Sequence, residues 1–181
     1  ETATYSDAYD PLTFDQLASS KDPAISKSLT GKEDLASIKR RERYATVYVV
    51  ENNDQLDTLI LPVRGYGLWS TLHGFIAVKG DLNTVTGFGF YEHAETPGLG
   101  SKMSEWFRDE EREARSVIGR NLSAGPLAVT NAGGGIDAIP ASTISTRALV
   151  EAVNRAYTGD LESLKMKLPR PSRGKQQRRN H

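Results

Sequence analysis

Two spacings of hydrophobic residues divide the chain. Tyr44 to Glu51 (YATVYVVE) and Thr58 to Val63 are rich in β-branched and aromatic residues and flank a polar Asn52-Asn53-Asp54 turn, which predicts a β-hairpin. Leu72 to Lys79 and Thr84 to Tyr91 repeat that character around Gly80-Asp81-Leu82-Asn83, which predicts a second antiparallel hairpin. Helical spacing follows. From Lys102 to Ile118, Met103, Trp106, Phe107, Ala114, Val117 and Ile118 fall roughly on one face, and Gly119 supplies the stop. Trp106 and Phe107 are read there as core. Pro126 to Thr130 reads as a short strand, and Arg147 to Tyr157 places Ala148, Leu149, Ala152, Val153 and Ala156 on one stripe ahead of Gly159.

Before these elements, Thr30 and Glu33 have the spacing of a capping box, and the stretch to Arg41 is expected to be a short basic helix. Residues 1–29 have no sustained period and read as a partly irregular N-terminal segment. Strands grouped together, with helices appended rather than alternating, predict an α+β fold: one domain over residues 30–160 with an antiparallel or mixed sheet and packed helices. Residues 161–181 hold seven cations against Glu162, a formal charge of +6, and are expected to form a flexible solvated tail or to dock on an acidic partner or lipid surface.

Composition narrows the function. At 181 residues with 38% hydrophobic content the chain suits one substantial core. Basic and acidic residues balance at 23 each, which argues against nucleic acid as a partner. Cysteine is absent and histidines number three, so disulfides, thiolate metal sites and a zinc site are not expected. No apolar run reaches the roughly 18 residues of a membrane helix. The first residue is Glu1 rather than Met, which reads as a processed chain or a fragment.

Three glycine-rich segments stand at the junctions of these elements: Arg64 to Ser70 (RGYGLWS), Glu95 to Gly100 (ETPGLG), and Gly133 to Thr146 (GGGIDAIPASTIST). Each is either an ordinary turn or a place where backbone approaches a flat ligand closely. In the third, Ser142, Thr143, Ser145 and Thr146 precede the expected helix at Arg147, an arrangement that favours an anion such as phosphate and equally serves as a helix cap. It is not a P-loop, because no Lys stands at the required spacing. His73 and His93 have no persuasive carboxylate or hydroxyl partner in sequence and are read as structural.

The strings LPVRGYGLWS (61–70) and YEHAETPGLG (91–100) resemble the FMN-binding domain of the NqrC-type subunits of sodium-translocating NADH:quinone reductases, with the RnfG-type subunits of Rnf electron-transport complexes as more distant relatives. The resemblance runs from about Tyr44 through Leu99 and resumes at Gly135. In that family FMN is esterified through its phosphate to a threonine in a motif close to D-x-x-S-G-A-T-x-T-S. Aligned on Asp137, this chain reads D-A-I-P-A-S-T-I-S-T, so the resemblance implies Thr143 as the acceptor. Pro140, Ala141 and Ser142 depart from the usual residues, and Ser142 is the nearby rival acceptor.

The resemblance further implies an isoalloxazine ring between Trp69 and Leu99, with Glu95, Thr96 and Gly98 near the ring or ribityl chain. It implies an electron-transfer protein with no catalytic residue of its own. Its partners would be the other components of a membrane redox complex that oxidises NADH, reduces ubiquinone and exports sodium, with a flavin transferase for maturation. It places the domain on the periplasmic face of the inner membrane, behind an N-terminal membrane helix absent from this chain. The alternatives are a Rnf-type or free-standing periplasmic flavoprotein, and an assembly module without cofactor.

Overall fold

The structure, a computed structural model, describes residues 6, 8–34, 36–97, 102–111, 114–125, 127–130, 135–137, 150 and 153. Its centre is an antiparallel meander of β3 (Tyr48–Asn52), β4 (Gln55–Tyr66), β5 (Thr71–Lys79) and β6 (Val85–Glu92), in that spatial order. Both expected hairpins form, and the long β4–β5 ladder, Thr58 against Lys79 through Tyr66 against Thr71, joins them into one sheet. With the helical pieces this is the expected α+β class.

Turn chemistry sets the register. Asn53 and Asp54 have φ of 50° and 59°, the two-residue geometry whose twist matches the flanking strands and which Asn and Asp tolerate. Gly80 opens the next turn against the Leu56 carbonyl, where a Cβ would collide, and its own N–H donates to the Asp57 carbonyl at 2.6 Å. A one-residue slip would turn every buried side chain to the other face. In this register Leu59, Leu61 and Val63 of β4 and Leu72, Ile76 and Val78 of β5 are buried on one face. Each buried aliphatic side chain of this size contributes about 1.5–3 kcal/mol relative to exposure.

Met103 and Phe107 close over that face with no exposed surface, Phe107 lying edge-on to Phe88. Their helix differs from expectation. The pattern predicted one helix from Lys102 to Ile118, whereas α2 spans Met103–Trp106 and the chain then reverses. The Val117 N–H donates to the Phe107 carbonyl at 2.9 Å, so Val117 reaches the core by a turn rather than along a helix face. The charged stretch after Arg108 offers no apolar face with which to extend the helix. Gly119 and Arg120 then bond to Val85 and cover the start of β6 on its open edge.

Two further elements are shorter than expected. β7 (Val129–Thr130) pairs in parallel with β8 (Ile136–Asp137), and Pro126 lies outside the described residues. Val150 and Val153 are helical and buried, so the buried stripe of the last helix includes Val150, which lay off the predicted one. The first strand begins at Tyr48 rather than Tyr44, and β4 runs on through Arg64, Gly65 and Tyr66.

The expected helix from Thr30 to Arg41 does not form. A single 3-10 turn, Gly31–Glu33, lacks the side-chain cap from Thr30. The Asp34 carboxylate instead accepts from the Ile38 and Lys39 N–H groups, and Ser37 and Lys39 hold positive φ, which a helix cannot contain. β2 (Arg40–Glu42) follows and pairs with β1 (Ser26–Ser28). The N-terminal segment thus carries β1 and also α1 (Gln16–Lys21), whose N-cap Asp15 accepts from the Ala18 N–H.

This layer is fastened to the outer face of the sheet by a half-buried polar chain. Arg64 Nη2 lies 2.6 Å from Glu42 Oε2, Gln16 Nε2 donates to Glu42 Oε1 at 2.6 Å, and Gln16 Oε1 accepts from the Thr46 N–H. Burial alone would raise the Glu42 pKa, but the Arg64 guanidinium and the hydrogen bonds outweigh it and hold the carboxyl below its ordinary 4.5. His73, opposite Arg64 in the register, is buried, and desolvation lowers its pKa.

A carboxylate with a depressed folded-state pKa stabilises fully above its unfolded pKa, and that stabilisation is lost as pH falls through the folded value. Removing one partner of a buried pair costs about 3 kcal/mol. We therefore expect Glu42→Gln to lower the melting temperature at neutral pH by roughly 6–12 °C. The gap from wild type should narrow below about pH 4. Thermal melts across pH check this; an equal gap at every pH would mean that the Glu42 charge contributes nothing.

Candidate functional site

The β4–β5 connection is the four-residue loop Gly67–Ser70, closed by the Gly67 N–H donating to the Ser70 carbonyl at 2.8 Å. Its interior holds the carboxylate of Glu95, from the stretch that leaves β6. Glu95 Oε1 accepts the Trp69 N–H at 3.2 Å, and a Cβ on Gly67 would stand 2.7 Å from that same oxygen. Glycine at 67 therefore leaves the space that the Glu95 carboxylate occupies. A second tie runs the other way, from the Ala94 N–H to Ser70 Oγ at 2.8 Å.

Glu95 is 5% exposed, whereas Trp69 is 64% exposed, with Leu68 and Tyr66 also outward. An indole held on a braced loop with most of its surface in water is a surface that a ligand or partner can cover. Thr96 is exposed beside Glu95. Trp69 and Glu95, predicted from separate strings, are thus in contact through the loop backbone.

The segment around Asp137 is braced separately. The Asp137 N–H donates to the Ala114 carbonyl at 2.7 Å, and its carbonyl accepts from Trp106 Nε1 at 3.0 Å. Arg115 stacks on Trp106 with its guanidinium carbon 3.8 Å from the ring centroid. Arg120 Nη2 donates to the Gly135 carbonyl, and Gly135 approaches the Ala128 carbonyl too closely for any side chain. Trp106 is therefore half-buried core that also uses its N–H to hold Asp137. Thr143, Ser142, Ser145, Thr146, Leu99 and Gly98 lie outside the described residues.

Sequence reasoning did not select Ser70, Trp106 or Arg115 for the site. Only the GLWS string pointed at Ser70. For Trp106 the available signal was that a buried indole N–H needs an acceptor.

The FMN-binding domain family model matches residues 67–158, a span that begins at the Trp69 loop and includes the braced Asp137 segment. The chain belongs to the FMN-binding domain family. Within it, the chain is 57% identical over 139 residues to the NqrC-type subunit of the Na(+)-translocating NADH-quinone reductase of Pseudomonas aeruginosa, a match covering 76% of this chain and 51% of that relative. It is 50% identical over 91 residues to the corresponding Na(+)-translocating NADH-quinone reductase protein of Vibrio vulnificus, covering 50% of this chain and 36% of the relative. The chain thus spans about half the length of these relatives, or less. The crystal structure of Shewanella oneidensis NqrC superposes with a TM-score of 0.72 at 29% identity, over 90% of this chain and 79% of that one.

The indole N–H bond to Asp137 contributes about 1 kcal/mol net and leaves the carbonyl unsatisfied when removed. Trp106→Phe is accordingly expected to cost about 1–2 kcal/mol. It should also speed amide exchange at Asp137 and the residues after it. Hydrogen exchange read by mass spectrometry checks this; unchanged protection there would leave Trp106 a packing residue alone.

Proposed function

We propose that the chain carries FMN, joined through a phosphoester to Thr143, and relays electrons as the NqrC-type component of a sodium-translocating NADH-quinone reductase. The observation that carries the reading is the Trp69 indole, presented to solvent on a loop braced by Glu95, at the start of the span matched by the FMN-binding family. The names of the relatives support the complex in which it would work.

The residues fit the group. An exposed indole flanked by Leu68 offers a flat apolar face of the kind an isoalloxazine ring covers, and the glycine at 67 admits the carboxylate that keeps the loop from collapsing. FMN supplies the one- and two-electron chemistry when bound. Trp69 would take one face of the ring out of water, and Leu99 the other. Thr96 and Gly98 would line its approach, with Glu95 holding the Trp69 loop from inside. Thr143 Oγ would carry the phosphoester, installed by a flavin transferase from an activated flavin nucleotide: the Oγ–P bond forms as the bond from phosphorus to the leaving nucleotide breaks, and the hydroxyl proton is lost to solvent, with Ser142, Ser145 and Thr146 as hydroxyl donors around the phosphate and Asp137 fixing the start of the segment. A covalent link makes the local cofactor concentration independent of its free level, so the contacts to the ring can tune rather than retain it.

The working partners are the other components of the complex, with the domain on the periplasmic side of the inner membrane. Among the described residues no helix is long and apolar enough to cross a membrane.

Protein made together with a flavin transferase is expected to gain the mass of esterified FMN, and Thr143→Ala to abolish that gain. No adduct on the intact chain would instead favour a cofactor-free assembly module. Trp69→Ala should keep the adduct while changing the visible spectrum and midpoint potential; an unaltered spectrum removes Trp69 from the site.

A further inference from the structure

Glu95 is buried, 5% exposed. A buried carboxylate is costly unless it is well bonded, so its geometry says what it is for. Its Oε1 accepts the Trp69 N–H, and it occupies the space that a Cβ on Gly67 would enter, with its carboxyl carbon 3.2 Å from that position. The bond from the Ala94 N–H to Ser70 Oγ anchors the backbone one residue earlier, which fixes the angle at which the side chain enters the loop. The carboxylate fills the inside of the hairpin loop, while the indole stands on the outside, mostly in water.

We propose that Glu95 is a positioning residue: it sets the flavin's surroundings by bracing the loop that presents Trp69, and not by contact with the ring. The proposal rests on the FMN reading above. A charge-assisted bond to a backbone N–H is about twice as strong as a neutral one, which suits a brace for a four-residue loop. Without the carboxylate the Trp69 N–H loses this acceptor and the loop interior is hollow, so the indole is no longer held. Gly67→Ala should act from the opposite side, by pushing the carboxylate out.

The test has two arms. In flavin-free protein carrying Trp106→Phe, so that Trp69 is the sole indole, Glu95→Ala and Gly67→Ala are each expected to lower the fluorescence anisotropy of Trp69. Glu95→Gln, whose amide carbonyl can accept the same N–H, should restore it. In the flavin-loaded protein, Glu95→Ala should shift the midpoint potential, and that shift should vanish in a Trp69→Ala background. A melting temperature lowered by Glu95→Ala with wild-type Trp69 anisotropy would overturn the proposal. So would a potential shift that persists undiminished without Trp69, because the carboxylate would then act on the ring directly. If no flavin can be loaded, the FMN reading fails, and the anisotropy arm still decides the role of Glu95. Should Glu95→Ala fail to fold, Gly67→Ala carries both arms.

Discussion

The ladder between β4 and β5 is the constraint on which the rest of this molecule depends. It runs from Thr58 opposite Lys79 to Tyr66 opposite Thr71, and its alternation assigns Leu59, Leu61 and Val63, with Leu72, Ile76 and Val78, to one buried face. The same alternation sends Arg64 and His73 to the other face, where the N-terminal layer attaches. The ladder ends in the Gly67–Ser70 loop, so the pairing that builds the core also delivers Trp69 to its position. A register change of one residue would exchange the two faces and dismantle both.

Each face solves a different physical problem. The buried face is apolar and is closed by Met103, Phe107 and Val117, brought in by a short helix and a chain reversal. The opposite face takes up charge through Gln16, Glu42 and Arg64, where the Glu42 carboxylate gains partners on both oxygens that offset its desolvation. The N-terminal segment, unremarkable as sequence, is held by this chain of hydrogen bonds rather than by a hydrophobic stripe. That explains why periodicity gave no sign of α1, β1 or β2.

The candidate site follows a related logic, with exposed chemistry standing on braced backbone. Trp69 is outward because Glu95 and Ser70 hold the loop from inside, and Asp137 is fixed through its main chain by Ala114 and Trp106. Rigid support under an accessible aromatic surface suits a cofactor whose properties are tuned by its surroundings. Membership of the FMN-binding domain family agrees with that construction.

What the sequence determined by itself was local or carried by specific strings. The two hairpins were legible because β-branched alternation and the Asn53-Asp54 turn act within a few residues, and the RGYGLWS and ETPGLG strings marked the candidate site. The helices predicted at 30–41 and 102–118 failed because other bonds outweighed spacing: locally, Asp34 drew the Ile38 and Lys39 amides into a turn, and through a chain reversal Val117 reached the core with a bond to Phe107. Only the folded chain could decide that Glu95 lies inside the loop of Trp69, 26 residues away, or that the Trp106 indole holds Asp137 across 31. Such contacts join residues distant in sequence through the closing of the sheet and the reversal after α2, and one-dimensional spacing carries no information about that closure.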